Sequence, residues 1–219
     1  MIIETHLMKK LISIFISVLF LASCTTSKIY TSQTCQICLS KSDGILVLPL
    51  AWEPSFRSLS VAEKNQLERQ ILGDLRAKGF TKVDLYDQLD YDLLKAGIKD
   101  LNDPDQRSKI NSELEYPYLL GLSLGLTQEG EGWSYQTEQE VYNGATDPDM
   151  EVSAMLRIAL IESKTGDLVS DNTVVSDNSG FSKTDKEGGL DYWNFASLSG
   201  VIRIGVGKGI DFLEKSCGC

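Results

Sequence analysis

The fold is decided at residues 45–50, whose sequence is Ile45-Leu46-Val47-Leu48-Pro49-Leu50. A continuous aliphatic run of this length is typical of a central strand that is buried on both faces. Pro49 marks the end of the strand, because proline cannot donate a hydrogen bond to a neighbouring strand. The run therefore predicts a strand in the middle of a sheet.

The residues that follow predict a helix. Ser60-Val61-Ala62-Glu63 is a capping box, in which the serine accepts a hydrogen bond from the third helical amide and the glutamate reaches back. Leu67, Ile71 and Leu75 recur at four-residue spacing and form one apolar face. Gly79 supplies the left-handed conformation that ends a helix.

Further strands and helices alternate along the rest of the chain. Residues 151–162 have one aliphatic face and one mixed face, which predicts a strand with one covered side and one more exposed side. The last predicted element is a helix over residues 192–215, in which Gly205 and Gly209 would allow close packing against the sheet. Other strands are predicted at 80–86, 118–127 and 168–175, and helical stretches between 87 and 115.

The N-terminus has the pattern of a bacterial lipoprotein signal peptide. Lys9 and Lys10 precede an apolar run at residues 11–21, and Leu21-Ala22-Ser23-Cys24 closes the segment. We expect cleavage before Cys24, a diacylglycerol on its thiol and an acyl chain on its amino group. The alternative is an ordinary signal peptide or signal anchor with a chance cysteine, but the run is shorter than the roughly 20 residues that span a bilayer.

This pattern divides the chain into a signal peptide (1–23), a lipidated tether (24–43) and a single α/β domain (44–219). The tether assignment rests on residues 25–43, which are rich in Ser, Thr, Gln and Lys and are typical of a linker. Threonine follows the lipidated cysteine, where aspartate would be the usual signal for retention in the inner membrane. We therefore expect a lipid-anchored protein of the outer membrane that faces the periplasm.

The charge of the mature chain argues against nucleic-acid binding. The whole chain has 21 Lys+Arg and 31 Asp+Glu, and removal of Glu4, Lys9 and Lys10 leaves 19 and 30, a formal charge of −11. Phosphate neutralisation needs clustered lysine and arginine. For the same reason we expect the acyl chains, and not charge, to hold the protein at a membrane.

Histidine chemistry is absent from the predicted mature chain. The chain has one histidine, His6, which lies in the segment that is removed. Sites that use a Ser-His-Asp triad, a Cys-His pair or a histidine-ligated metal are therefore excluded. We predict no cofactor and no enzymatic activity.

Four further cysteines form two close pairs, Cys35 with Cys38 and Cys217 with Cys219. In a sheet with right-handed crossovers, helices run antiparallel to the strands that they cover, so a C-terminal helix ends near the beginning of the first strand. We expect the two pairs to meet and to form disulfides between the ends of the domain. A four-cysteine zinc site and local disulfides within each pair are the alternatives.

The order of these segments resembles the TolB amino-terminal-type domain. This envelope superfamily includes the soluble part of the curli-secretion lipoprotein and the lipoprotein activators of penicillin-binding proteins. The matching residues are 45–50, 93–98, 119–125 and 156–168, which are apolar and glycine positions without a catalytic signature. The resemblance implies an α/β (α+β) fold with a single mixed sheet and helices packed on it, a role in binding envelope proteins, and no cofactor.

Residues 128–150 predict a loop between two strands that is rich in aromatic and acidic side chains. Trp133, Tyr135 and Tyr142 lie in it, and such a loop is where a partner protein or a sugar polymer would be bound. The alternative is a solvated hairpin tip. The density of carboxylates argues against a membrane pore.

Three functions are compatible with these features. The first is a lipoprotein that binds and regulates or scaffolds a periplasmic assembly. The second is a structural subunit of a secretion or surface assembly, which predicts a homo-oligomer. The third is a hydrolase that uses Glu138 and Glu140 as a carboxylate pair, although alternate positions on a loop carry no geometric implication.

Overall fold

The computed structural model describes residues 25–52, 59–130, 132–144 and 150–218. These residues form ten strands and five α helices. The strands are β1 (Thr26–Gln33), β2 (Ile45–Val47), β3 (Ala51–Trp52), β4 (Val83–Leu85), β5 (Tyr118–Glu129), β6 (Gly132–Gln136), β7 (Val152–Glu162), β8 (Leu168–Asn178), β9 (Phe181–Thr184) and β10 (Leu190–Asn194). The helices are α1 (Val61–Ala77), α2 (Asp90–Lys95), α3 (Pro104–Ser112), α4 (Glu138–Tyr142) and α5 (Leu198–Cys217).

Seven strands form a mixed sheet in the order β1-β8-β7-β5-β2-β4, with β3 paired to β5. Strand β2 is parallel to β4 and β5, whereas the β5-β7-β8-β1 pairs are antiparallel. The predicted α+β fold, a mixed sheet with helices packed on it, is confirmed. A second antiparallel sheet, β6-β10-β9, was not predicted from the sequence.

The core lies on both faces of β2. Ile45 and Val47 belong to the cluster formed with α1 and α5, whereas Leu46 belongs to a second cluster with α2 and α3. All three residues are buried. The prediction of a central, two-sided strand is therefore confirmed.

Helix α1 is stabilised at its start as predicted. The Glu63 amide donates to Ser60 Oγ at 3.3 Å, and the Ser60 amide donates to Glu63 Oε2 at 2.9 Å. The face made by residues 67, 71 and 75 is buried. Gly79 follows the helix with a φ of +94°, a conformation that favours glycine.

Helix α5 begins at Leu198, where Ser197 is the N-cap, and not at residue 192 as the sequence predicted. Residues 190–194 form β10 instead. The apolar spacing that predicted a helix belongs to the residues after the cap. Gly205 and Gly209 are buried and face the sheet, so the predicted close approach of this helix is confirmed.

The prediction of a linker over residues 25–43 is wrong for residues 26–33, because they form the edge strand β1 on β8. The hydroxyls of Ser27 and Ser176 are 2.8 Å apart. An edge strand needs few buried side chains, and Ile29 is the β1 side chain that packs against the core. This strand therefore has the polar composition of a linker.

A disulfide joins Cys35 to Cys217, with the Cα atoms 5.3 Å apart. Beside it, the Leu39 amide donates to the Cys217 carbonyl at 2.6 Å. The predicted meeting of the two ends is confirmed for this pair. Cys38 is also disulfide-bonded, and Cys219 lies outside the described residues.

Candidate functional site

An aromatic row crosses the three-stranded sheet. Trp193 of β10 lies directly opposite Trp133 of β6 on one side and Phe181 of β9 on the other. Residues that are directly opposite in antiparallel strands project to the same face. The Phe181 and Trp193 rings are stacked with their centroids 5.0 Å apart. We call these three residues, together with Tyr135 two positions along β6, the aromatic face.

Two members of the aromatic face, Trp133 and Tyr135, expose their rings to solvent while their polar atoms are hydrogen-bonded. Trp133 is 61% exposed, and its Nε1 donates to Asp191 Oδ1 at 3.3 Å. The Tyr135 hydroxyl donates to Asp185 Oδ2 at 2.9 Å. This bond raises the pKa of the Tyr135 hydroxyl and is the largest cause of the lowered pKa of Asp185.

The sequence identified part of this face, but its prediction of a loop there is wrong, because residues 132–136 form β6 and residues 138–142 form α4. Trp133 and Tyr135 lie together on β6, but Tyr142 is the last residue of α4 and does not belong to the sheet. Phe181 and Trp193 were missed, because their strands lie roughly 50 residues further along the chain and no local pattern links them to β6. The assignment of partner binding to Trp133, Tyr135 and Tyr142 stays a prediction.

Glu140 has a structural role that the sequence analysis did not assign. Its carboxylate accepts from the Thr137 amide at 2.9 Å and from the Thr137 hydroxyl at 2.8 Å, as the capping box of α4. These bonds lower the pKa of Glu140. A general acid of a glycosidase needs a raised pKa, so the hydrogen bonding of this carboxylate suits capping and not proton donation.

A second surface lies on the side of β1, β8 and β7 that points away from α1 and α5. Paired residues form successive rows across it: Lys28, Val175 and Met155, then Tyr30, Thr173 and Arg157. Lys28, Tyr30 and Arg157 are exposed, and the other three are half-buried. We call these six residues the open face.

An ion pair borders the open face. Arg157 Nε donates to Asp171 Oδ1 and Arg157 Nη2 donates to Asp171 Oδ2, both at 2.8 Å. Asp171 is only 6% exposed, whereas the Arg157 side chain is 54% exposed. Bidentate pairing fixes the guanidinium plane, so Arg157 is presented to solvent in a defined orientation.

A shallow groove of about 680 Å³ runs along the outer side of α1 and α5. Two side-chain contacts cross from one helix to the other: Lys78 forms an ion pair with Asp211, and Arg203 Nε donates to Gln70 Oε1 at 3.1 Å. These bonds join α1 to α5.

Two of the predicted site residues, Cys24 and Cys219, lie outside the described residues. None of the helices in the described part of the chain has the length and apolar composition that crossing a bilayer requires.

Comparison with solved structures gives similarities with modest scores. No protein-family profile matches the chain, and no curated protein matches it. Among solved structures, the PelC dodecamer from Paraburkholderia phytofirmans is 14% identical with a TM-score of 0.47, and the match covers 89% of this chain and 99% of that one.

Two further similar structures are the lipoprotein GNA1162 from Neisseria meningitidis and the LpoB C-terminal domain from Salmonella enterica. The first is 15% identical, with a TM-score of 0.41 and coverage of 80% of this chain and 99% of that one. The second is 13% identical, with a TM-score of 0.36 and coverage of 61% and 82%. Nothing about the function of this chain follows from similarities of this size.

Proposed function

We propose that this protein is a lipid-anchored, non-enzymatic protein of the bacterial envelope that binds a partner protein and regulates or scaffolds a periplasmic assembly. The open face is the observation that carries the proposal. It combines the apolar side chains of Val175 and Met155 and the ring of Tyr30 with two charged side chains, Lys28 and Arg157, and protein interfaces likewise combine apolar and charged groups.

The composition of the open face favours a protein partner over a small ligand. The open face is the solvent side of a sheet, whereas small-molecule sites are concave. Tyr30 is 57% exposed, and tyrosine and arginine are enriched among the residues that contribute most to protein binding. Arg157 is bonded to Asp171, so Lys28 is the charged side chain of the open face that we expect to contact an acidic group of the partner.

Affinity capture tests the proposal. The lipidated protein is solubilised from envelopes and compared with a control that carries the Cys24 anchor alone. We expect a retained protein that is lost with Tyr30→Ala and kept with Tyr91→Ala, a matched tyrosine that is 77% exposed on α2. Equal retention by both variants, or no protein above the anchor control, would contradict it.

A structural subunit of a secretion or surface assembly is the second candidate. The edge strand β1 borders the open face, so copies of the chain could associate through the same surface. A discrete multimer in detergent that Tyr30→Ala dissociates would support this candidate. A monodisperse monomer would count against it.

A further inference from the structure

The predicted lipid attachment site lies at the same end of the molecule as the aromatic face. Thr25, the residue after Cys24, accepts a hydrogen bond from Asn178 Nδ2 at 3.0 Å. The Asn178 carbonyl in turn accepts from Asn194 Nδ2 at 2.7 Å. Asn194 is the neighbour of Trp193 in β10, so two side-chain hydrogen bonds connect the start of the described chain to the aromatic row.

The connection between lipid and domain is short. Strand β1 begins at Thr26, so Thr25 alone separates Cys24 from the sheet. One extended residue spans at most about 3.6 Å. A lipidated Cys24 would therefore hold this end of the large sheet against the bilayer. The aromatic row of β6, β10 and β9 lies at the same end, so it would lie beside the bilayer surface.

The exposed side chains at this end suit the membrane–water interface. Phe181 is 49% exposed, and Phe195, which follows Asn194, is 75% exposed. Tryptophan and tyrosine are enriched at bilayer interfaces because their rings are apolar and their N–H or O–H groups are polar. The indole N–H of Trp133 is bonded to Asp191, so it would keep a hydrogen-bond partner if the exposed ring contacted lipid.

We propose that Trp133, Phe181, Trp193 and Phe195 form a membrane-contact surface that rests on the interface of the bilayer to which Cys24 is attached. This inference uses the lipid anchor of the proposed function and goes beyond it, since it fixes the orientation of the domain. The mature chain has a formal charge of −11, so contact depends on apolar burial and not on attraction to anionic headgroups.

Quenching by brominated lipid tests the proposal. The full lipidated chain carries Trp52→Phe, so that Trp133 and Trp193 supply the tryptophan emission. Mass spectrometry first verifies that Cys24 is acylated. The protein is placed in vesicles of phosphatidylcholine and phosphatidylethanolamine, with and without bromine near the headgroup end of the acyl chains. We expect loss of most of the tryptophan emission, with no greater loss when phosphatidylglycerol is added.

Two double variants provide the comparison. Phe181→Ser with Phe195→Ser should relieve much of the quenching, whereas Tyr91→Ser with Leu94→Ser, both exposed on α2, should not. Near-ultraviolet circular dichroism checks that each variant is folded.

The other outcomes overturn the proposal in distinguishable ways. Unquenched emission from acylated protein removes the membrane contact but leaves the anchor. If the emission is unquenched and the Phe181 and Phe195 variants lose a captured envelope protein, the aromatic face binds protein, as the sequence predicted. An unmodified Cys24 removes the anchor itself, and the proposed function with it.

Discussion

Replacement of Gly209 by alanine tests the close packing of α5 on the sheet. A Cβ atom at this position would overlap Ile158 Cδ1 and would lie 3.1 Å from Val174 Cγ2. Both side chains are fully buried, so the overlap can be relieved only by shifting packed atoms, which costs about 1 to 3 kcal/mol.

Gly207 is a matched control on the same helix. The atoms nearest to its Cβ position are Asp74 Oδ2 at 3.8 Å and Gln70 Nε2 at 3.9 Å, which is ordinary van der Waals contact. In a helix interior, alanine is favoured over glycine by about 1 kcal/mol, and this gain applies to both positions. The difference between the two variants therefore isolates the overlap.

We expect Gly207→Ala to be more stable than Gly209→Ala by about 1 to 3 kcal/mol, because only the second must displace core atoms. For a chain of this length, that difference corresponds to about 2 to 12 °C in Tm. The assay is urea and thermal unfolding of residues 24–219 with Cys24→Ser and intact disulfides. Equal stabilities would refute the packing of α5 described above.

Three further predictions concern the core, the disulfides and pH. Ile71→Ala should lower the free energy of unfolding by about 2 to 4 kcal/mol, because Ile71 is buried at the centre of the α1 face. A loss of less than about 0.5 kcal/mol in a urea titration would show that Ile71 lies at the surface. Cys35 and Cys217 are 182 residues apart, so reducing their bond together with that of Cys38 should cost at least about 5 kcal/mol in the chain-entropy treatment. Urea titrations with and without dithiothreitol measure this loss, and unchanged midpoints would refute it. The hydrogen bond from Lys78 is the largest cause of the lowered pKa of Asp211. The ionised Asp211 carboxylate therefore stabilises the folded protein fully above the unfolded pKa of about 3.9. This stabilisation is lost as the pH falls through the pKa of Asp211 in the folded state. Unfolding midpoints should therefore fall less steeply in acid for Asp211→Asn than for the wild type, and parallel curves would contradict the pairing.

The sequence was sufficient to predict an element wherever one local pattern of residues determines that element. The capping box at Ser60 and the repeat of Leu67, Ile71 and Leu75 specify α1, because an amphipathic helix needs only a start, a face and an end. Aliphatic side chains at every second position from Val152 to Leu160 likewise predicted β7. The predicted meeting of the cysteine pairs needed in addition a rule for the direction of the last helix.

The sequence was insufficient where pairing between distant residues decides the structure. Strand β1 has one side chain in the core, so its pairing with β8 leaves little trace in its composition. The small sheet depends on pairing of β10 with β6, which lies about 50 residues earlier, and with β9, and these short segments have no apolar period of their own. The aromatic face therefore becomes visible only when Trp133, Phe181 and Trp193 are seen side by side.

Crosslinking in living cells tests the central claim, that this protein binds another protein through its open face. A photo-crosslinking amino acid replaces Lys28 on that face or Leu94 on α2, and the cells are irradiated before the envelope is isolated. We expect a protein adduct of defined mass from position 28 and none from position 94. No adduct from position 28, or the same adducts from both positions, would contradict the claim.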